Sequence, residues 1–233
     1  ATPVHKVSGP FGWPTYVAKQ SCGLVPVNDD GSARFTAPAG KVIYFEALDK
    51  DYNELQRMRS VVQLAPGEKR GCIGCHESRL STPANGRRPE ARQLVSAQLA
   101  AWEDAPMSFE RVVQPVLDEN CVFCHNETHP KGLDFRGVLD KEKVPISYRT
   151  LIEKGLVHYA DMGWNSGGTE KMPPLSLGTL KSRLWEVLNA GHQHVKLTDD
   201  EMLRIKTWID LNCPLWPDYK NRLERLALDL TQQ

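Results

Sequence analysis

Two pentapeptides of one pattern constrain this chain more than anything else in it: Cys72-Ile73-Gly74-Cys75-His76 and Cys121-Val122-Phe123-Cys124-His125. Two thiols three positions apart can each form a thioether to one of the two vinyl groups on one porphyrin edge. The His that follows lies under the iron and offers it an axial nitrogen. With 6 Cys and 7 His in 233 residues, chance supplies roughly 0.005 matches to the pattern. Two matches are therefore no coincidence. They predict two covalently bound haem c groups, held through Cys72, Cys75, Cys121 and Cys124, with His76 and His125 as proximal ligands. A Cys₄ zinc site made from the two Cys pairs is the competing reading. It leaves both His residues unexplained, and the stretch from Cys75 to Cys121 is long for a zinc ribbon.

Charge narrows the partners. Lys and Arg number 29, Asp and Glu 29, for a formal net charge of zero. That balance argues against a general binder of nucleic acid or anionic membrane. No apolar run is long enough to span a bilayer. Thioether attachment of haem takes place outside the cytoplasm, so a periplasmic or other extracytoplasmic home is expected. The chain starts at Ala1 without an initiator Met and reads as a processed chain or a fragment. Cys22 and Cys213 stand outside the motifs. An oxidising compartment favours pairing them; free thiols and a metal-ligand role for Cys22 stay open.

The fold class expected is α+β. A small β-sandwich-like domain over 1–80 ends in the first haem motif. A linker and connecting helix span 81–106, and an α-helical cytochrome c-like domain with the second haem fills 107–233. Short alternating runs support strands at Gly23–Val27, Ala33–Ala37, Val42–Phe45 and Met58–Leu64, with turns at Asn28-Asp29-Asp30-Gly31, Pro38-Ala39-Gly40 and Pro66-Gly67. Residues 81–90 carry Pro, Gly and Arg without period, and a helix follows over 91–102. Ser108 then caps a helix with Phe109, Val112, Val113, Val116 and Leu117 on one stripe, which Pro115 must bend or end in its first turn. That helix runs into Cys121. Gly178 opens another helix and Gly191 stops it. Thr198-Asp199-Asp200-Glu201 is a capping box for a helix bearing Met202, Ile205, Trp208 and Ile209, which Pro214 ends. A Leu-rich helical tail follows over 221–230.

The sixth position on each iron has to come from a short set. For the second haem His192 leads, since the loop before the last helix carries the distal ligand in small c-type cytochromes. Met172, in Lys171-Met172-Pro173-Pro174, and His194 are the alternatives. His129 is too near His125 to reach the opposite haem face and reads as a surface residue. For the first haem, His158, His5 and Met58 are candidates, and an open or water-ligated iron is a further option. A six-coordinate iron favours electron transfer; a five-coordinate iron in a pocket binds a small molecule and does chemistry. Electron transfer with redox partner proteins is the leading expectation. A haem oxidoreductase and a structural module of a larger complex or homo-oligomer follow it.

A series of short stretches resembles the haem-bearing middle domain of the hydrazine synthase alpha subunit family. It comprises Val25-Pro26-Val27, Asp30-Gly31-Ser32-Ala33, Pro38-Ala39, Tyr44-Phe45, Leu48-Asp49, Gln56, Met58-Arg59-Ser60, Pro66-Gly67-Glu68, Gly71-Cys72 and Gly74-Cys75-His76-Glu77. The C-terminal part continues the resemblance through Cys121–His125, Lys131-Gly132-Leu133-Asp134, Pro174-Leu175-Ser176, Gly191-His192, Val195-Lys196-Leu197 and Trp208-Ile209-Asp210-Leu211-Asn212. The resemblance implies a bis-His second haem, and so His192 opposite His125. It also implies a catalytic first haem with a tyrosinate iron ligand shortly after the motif. Here His76 is followed by Glu77-Ser78-Arg79-Leu80, with no Tyr in the next ten residues.

Overall fold

The computed structural model describes residues 18–58, 61–74, 93–159 and 173–218. The turn at Asn28–Gly31 forms as expected: Gly31 N–H donates to the Asn28 carbonyl at 2.8 Å, and Asn28 N–H to that of Ser32 at 2.9 Å. The runs on either side make only single bridges, Leu24 to Gln98 and Phe35 to Val95. Next come β1 (Val42–Ile43), β2 (Glu46–Leu48), β3 (Glu54–Arg57) and β4 (Val62–Gln63). β1 pairs antiparallel with β4, and β2 with β3. These are two separate two-stranded sheets, where a sandwich of packed sheets was expected. Strands of two to four residues have too little face to pack sheet on sheet. The mixed α+β class itself holds.

The helix expected over 91–102 does not form in its described part. Residues 93–100 carry no helical turn, and only Ala101–Glu103 coil, as a 3₁₀ helix. Val95 N–H donates to the Arg34 carbonyl at 3.0 Å, and Gln98 and Leu24 exchange two bonds of 2.9 Å. Pairing with the β layer therefore overrides the local helical preference. The segment 81–90 and the tail over 221–230 lie outside the described residues.

The helical part is α1 (Phe109–Val112), α2 (Gln114–Asn120), α3 (Ile146–Glu153), α4 (Arg183–Asn189) and α5 (Asp199–Asp210). α1 and α2 are one stripe broken at Val113, with Pro115 in the first turn of α2, where its missing N–H costs nothing. Ser108 stands at the cap of α1, but its side chain makes no capping bond. The helix expected at Gly178 starts as a 3₁₀ turn over Thr179–Lys181 and restarts as α4 at Arg183. Thr198 and Glu201 close the capping box of α5. At its other end Cys213 N–H reaches the Trp208 carbonyl (3.0 Å) and Asn212 N–H that of Ile209 (2.8 Å). With Asn212 at φ 69°, this is a Schellman stop.

Phe109, Tyr148 and Trp208 lock the helices together, with ring centroids 5.1 to 6.1 Å apart. All three are fully buried. Each stabilises the fold by roughly 2–3 kcal/mol through burial. Tyr148 OH donates to the Cys213 carbonyl at 2.8 Å, and Trp208 Nε1 to that of Pro214 at 2.9 Å. The β layer docks on α5 through polar contacts: Lys206 Nζ to the Asp51 carbonyl and Lys19 Nζ to that of Leu211, both 2.5 Å. Under that contact Arg57 grips Glu54 with two bonds, and Asp210 Oδ1 accepts Thr179 N–H at 2.7 Å. Cys213 is wholly buried and Cys22 exposed, both as free thiols. The pairing considered for them is not made.

Candidate functional site

α2 delivers its last residue, Asn120, directly into the second motif, which continues as one further helical turn. Cys121 N–H donates to the Leu117 carbonyl at 2.8 Å. The Cys121 carbonyl then accepts Cys124 N–H (3.2 Å) and His125 N–H (2.9 Å). Winding the motif as a turn puts residues three and four apart on one face. Cys121 is half-buried, and its thiol is pushed up to about 11 by burial, with the Glu201 carboxylate adding to the effect. Cys124 is exposed, and Phe123 between the thiols stands 94% exposed.

An Asx turn then reverses the chain. Asn126 Oδ1 accepts Thr128 N–H at 3.1 Å and its hydroxyl at 2.7 Å, and His129 N–H returns to the Asn126 carbonyl at 3.0 Å. The reversal stacks His129 on His125 with centroids 4.5 Å apart. Phe135 stacks on the same imidazole at 4.7 Å, and its N–H donates to the His125 carbonyl at 3.0 Å. Gln114 Nε2 holds the Phe135 carbonyl at 3.0 Å, while Gln114 Oε1 accepts the Ser147 hydroxyl at 2.5 Å. His129 is therefore a half-buried partner of the His125 imidazole, not the surface residue expected. Lys131 N–H donates to its Nδ1 at 3.3 Å. The Asn126-x-Thr128 pattern was the signal for this reversal.

His192 arrives from the other side. Gly191, at φ 83°, lies just past α4. His192, Gln193, His194 and Val195 then make a tight turn, closed by Val195 N–H to the His192 carbonyl at 2.8 Å. Gln193 and His194 occupy its centre at φ 48° and 64°, the geometry of a type I′ turn. His194 is exposed there. The His192 ring lies 5.9 Å from that of His125, tilted by 35°. An iron held between two imidazole nitrogens, with metal–nitrogen bonds of about 2 Å, sets ring centroids about 6 Å apart. The centroid separation of the pair is close to that span.

The rest of the donor set agrees. His125 Nδ1 is shielded from water without a well-formed hydrogen bond. Burial lowers the pKa of His125, His129 and His192 push the same way, and the Leu133 backbone opposes them. The neutral form is the one that ligates metals. Among the described residues no three His, Cys, Asp or Glu side chains converge as a bare ion requires. The His125 and His192 rings lie close together, with Cys121 and Cys124 on the turn that carries His125.

Of the first motif, Cys72 is described and exposed; Cys75 and His76 lie outside the described residues, as do His5 and Met172. Met58 is half-buried, its N–H donating to the Phe45 carbonyl at 2.8 Å. His158 follows α3, and its N–H donates to the Ser182 hydroxyl at 2.9 Å. Burial, then Lys181 and Arg57, lower its pKa.

Fold and site together define a mixed α+β protein in which the His125 and His192 rings lie 5.9 Å apart beside the Cys121–Cys124 turn. Residues 2–77 match the family model described as the hydrazine synthase alpha subunit middle domain. The match takes in about the first third of the chain and runs one residue past His76. No curated protein and no solved structure matches the chain.

Proposed function

We propose that the chain is an extracytoplasmic dihaem c-type cytochrome that transfers electrons, working with redox partner proteins within a larger complex or homo-oligomer. A small β domain carries the first haem and a cytochrome c-like helical domain the second. The observation that carries this reading is the His125–His192 pair at 5.9 Å, with Cys121 and Cys124 within one turn of His125. Haem, when bound, supplies one-electron chemistry. The chain's residues do the rest. Cys121 and Cys124 tether the group. His125 and His192 would hold the iron of a bound haem, and a second His in place of a Met would lower its potential and favour electron transfer over substrate binding. Phe135 and His129 fix the plane of the proximal ring.

A second reading has its own support. The relation of residues 2–77 to the hydrazine synthase alpha subunit middle domain favours a redox enzyme or enzyme subunit, with an open iron at the first haem acting on peroxide or a small nitrogen compound. A structural cytochrome module in an assembly is a third.

The test uses the matured protein. Its intact mass should exceed that of the polypeptide by two haem groups. His192→Ala should turn one haem high-spin, and His194→Ala should leave it low-spin. A colourless product, or a His192→Ala protein that stays low-spin, overturns the assignment. Anaerobic titration of the unaltered protein with CO separates the first two readings. Unchanged spectra at both haems support electron transfer, and one accessible high-spin iron supports the enzyme.

A further inference from the structure

The His125–His192 span depends on two elements that no covalent link holds close. His125 sits on the turn that continues α2, and His192 on the loop that leads into α5. We infer that Asn120 and Glu201 form a clamp between these elements and so act as positioning residues for the axial pair. The inference rests on the cytochrome reading and concerns how its second centre is held.

Asn120 directly precedes Cys121. Its Nδ2 donates to the Val116 carbonyl at 3.0 Å and to Glu201 Oε1 at 2.8 Å. The other oxygen of Glu201 faces the opposite way: Oε2 accepts Thr198 N–H at 2.7 Å and the Thr198 hydroxyl at 2.8 Å. Glu201 N–H returns to Thr198 Oγ1 at 3.2 Å. Thr198 is six residues past His192, and the turn at His192–Val195 takes up half of that distance. An unbroken chain of hydrogen bonds thus runs from the residue before the first motif thiol to the loop that presents the distal imidazole.

A helix cap alone does not need this arrangement. The capping box uses one carboxylate oxygen of its third residue, and here the second is given to Asn120. The Asn120 side chain also has a task outside its own helix. The task is a bond to a charged acceptor, stronger than a neutral one. Axial ligands have to be held within about 0.5 Å of their working geometry, and a direct side-chain bridge between the two elements supplies that constraint.

The experiment uses the matured protein with both haems. Asn120→Asp sets a second carboxylate against Glu201 Oε1 and should drive the elements apart. The expected result is a high-spin fraction at the second haem that binds CO. Asn120→Asp with Glu201→Gln should restore the low-spin spectrum, because Gln keeps the capping box and its amide donates to the new carboxylate. A fully low-spin, CO-inert Asn120→Asp protein overturns the clamp. So does loss of low-spin signal that Glu201→Gln fails to rescue. Should Asn120→Asp not mature, Asn120→Ala is measured instead: a high-spin fraction that binds CO supports the clamp, and a fully low-spin, CO-inert protein overturns it. His192→Ala is the control: if that variant stays low-spin, the ligand assignment fails and the clamp is not what failed.

Discussion

At Gly178 the backbone takes φ 68° and ψ −147°, a region essentially reserved for glycine. The site is also crowded. A Cβ there would clash with the Asp210 carboxylate and lie 2.6 Å from Glu54 Oε2. Both carboxylates are buried and already committed, Glu54 to Arg57 and Asp210 to the Thr179 N–H. Neither can move without losing a buried partner. Gly178→Ala should therefore cost more than about 2 kcal/mol, read as a lower urea midpoint with an unchanged slope. A midpoint within error of the parent would mean that this contact yields freely. The other informative single residue is Asn120, whose amide does one thing in its own helix and another across to α5.

The turn at His192–Val195 places two non-glycine residues in left-handed backbone, where Asn-Gly is the favoured pair. Replacing Gln193-His194 by Asn-Gly should stabilise the protein by about 1 kcal/mol and leave the second haem low-spin. Loss of the low-spin spectrum would show that His194, not His192, reaches the iron. This element also shows what was legible in advance. The loop itself was readable because Gly191 ends one helix and Thr198 caps the next, which leaves a short loop carrying His192 and His194. The type I′ geometry was not, because Gln-His carries no turn signature. The stacking of His129 was missed for a related reason: spacing from His125 was weighed, while the Asx turn at Asn126 was not. Residues 91–102 misled because their helical composition says nothing of the Leu24 and Arg34 carbonyls that accept the Gln98 and Val95 N–H groups across the layer. Of the expected β runs, Val42–Phe45 and Met58–Leu64 contain β1 and β4, Gly23–Val27 and Ala33–Ala37 give only single bridges, and β2 and β3 form where no strand was expected; runs this short carry no information about which sheet they join.

For the whole molecule, the contact between the β layer and α5 sets the response to pH. Burial pushes Glu46 up to about 8 and Asp210 up to about 7, and it pulls Lys19 down to about 8. From the ordinary carboxylate range up to those values the folded state holds protons that the unfolded chain has released, so stability falls as pH rises through the window. Above about 8 the sign reverses for Lys19, whose proton is then bound more tightly by the unfolded chain. Below about 4, Asp134, Asp140 and Glu201, all held low in the fold, lose their contribution as they protonate. Stability should thus peak near pH 5 and be lower at pH 8 by at least about 1 kcal/mol. Glu46→Gln should flatten that slope. Urea unfolding at pH 5, 6.5 and 8 on both proteins checks this, and an upward slope in the parent would refute it.

One helix meets both places where the molecule is most demanding. Near its start, α5 gives Glu201 to Asn120; at its last residue it gives Asp210 to Thr179. Those positions are nine residues apart, 210 minus 201, or about two and a half turns, so they look out in opposite directions. Deleting or inserting one residue between them would swing one end by about 100° relative to the other. Both grips could not then close at once. The identities of the residues in between are negotiable, but their number is a phase setting that no substitution elsewhere can retune.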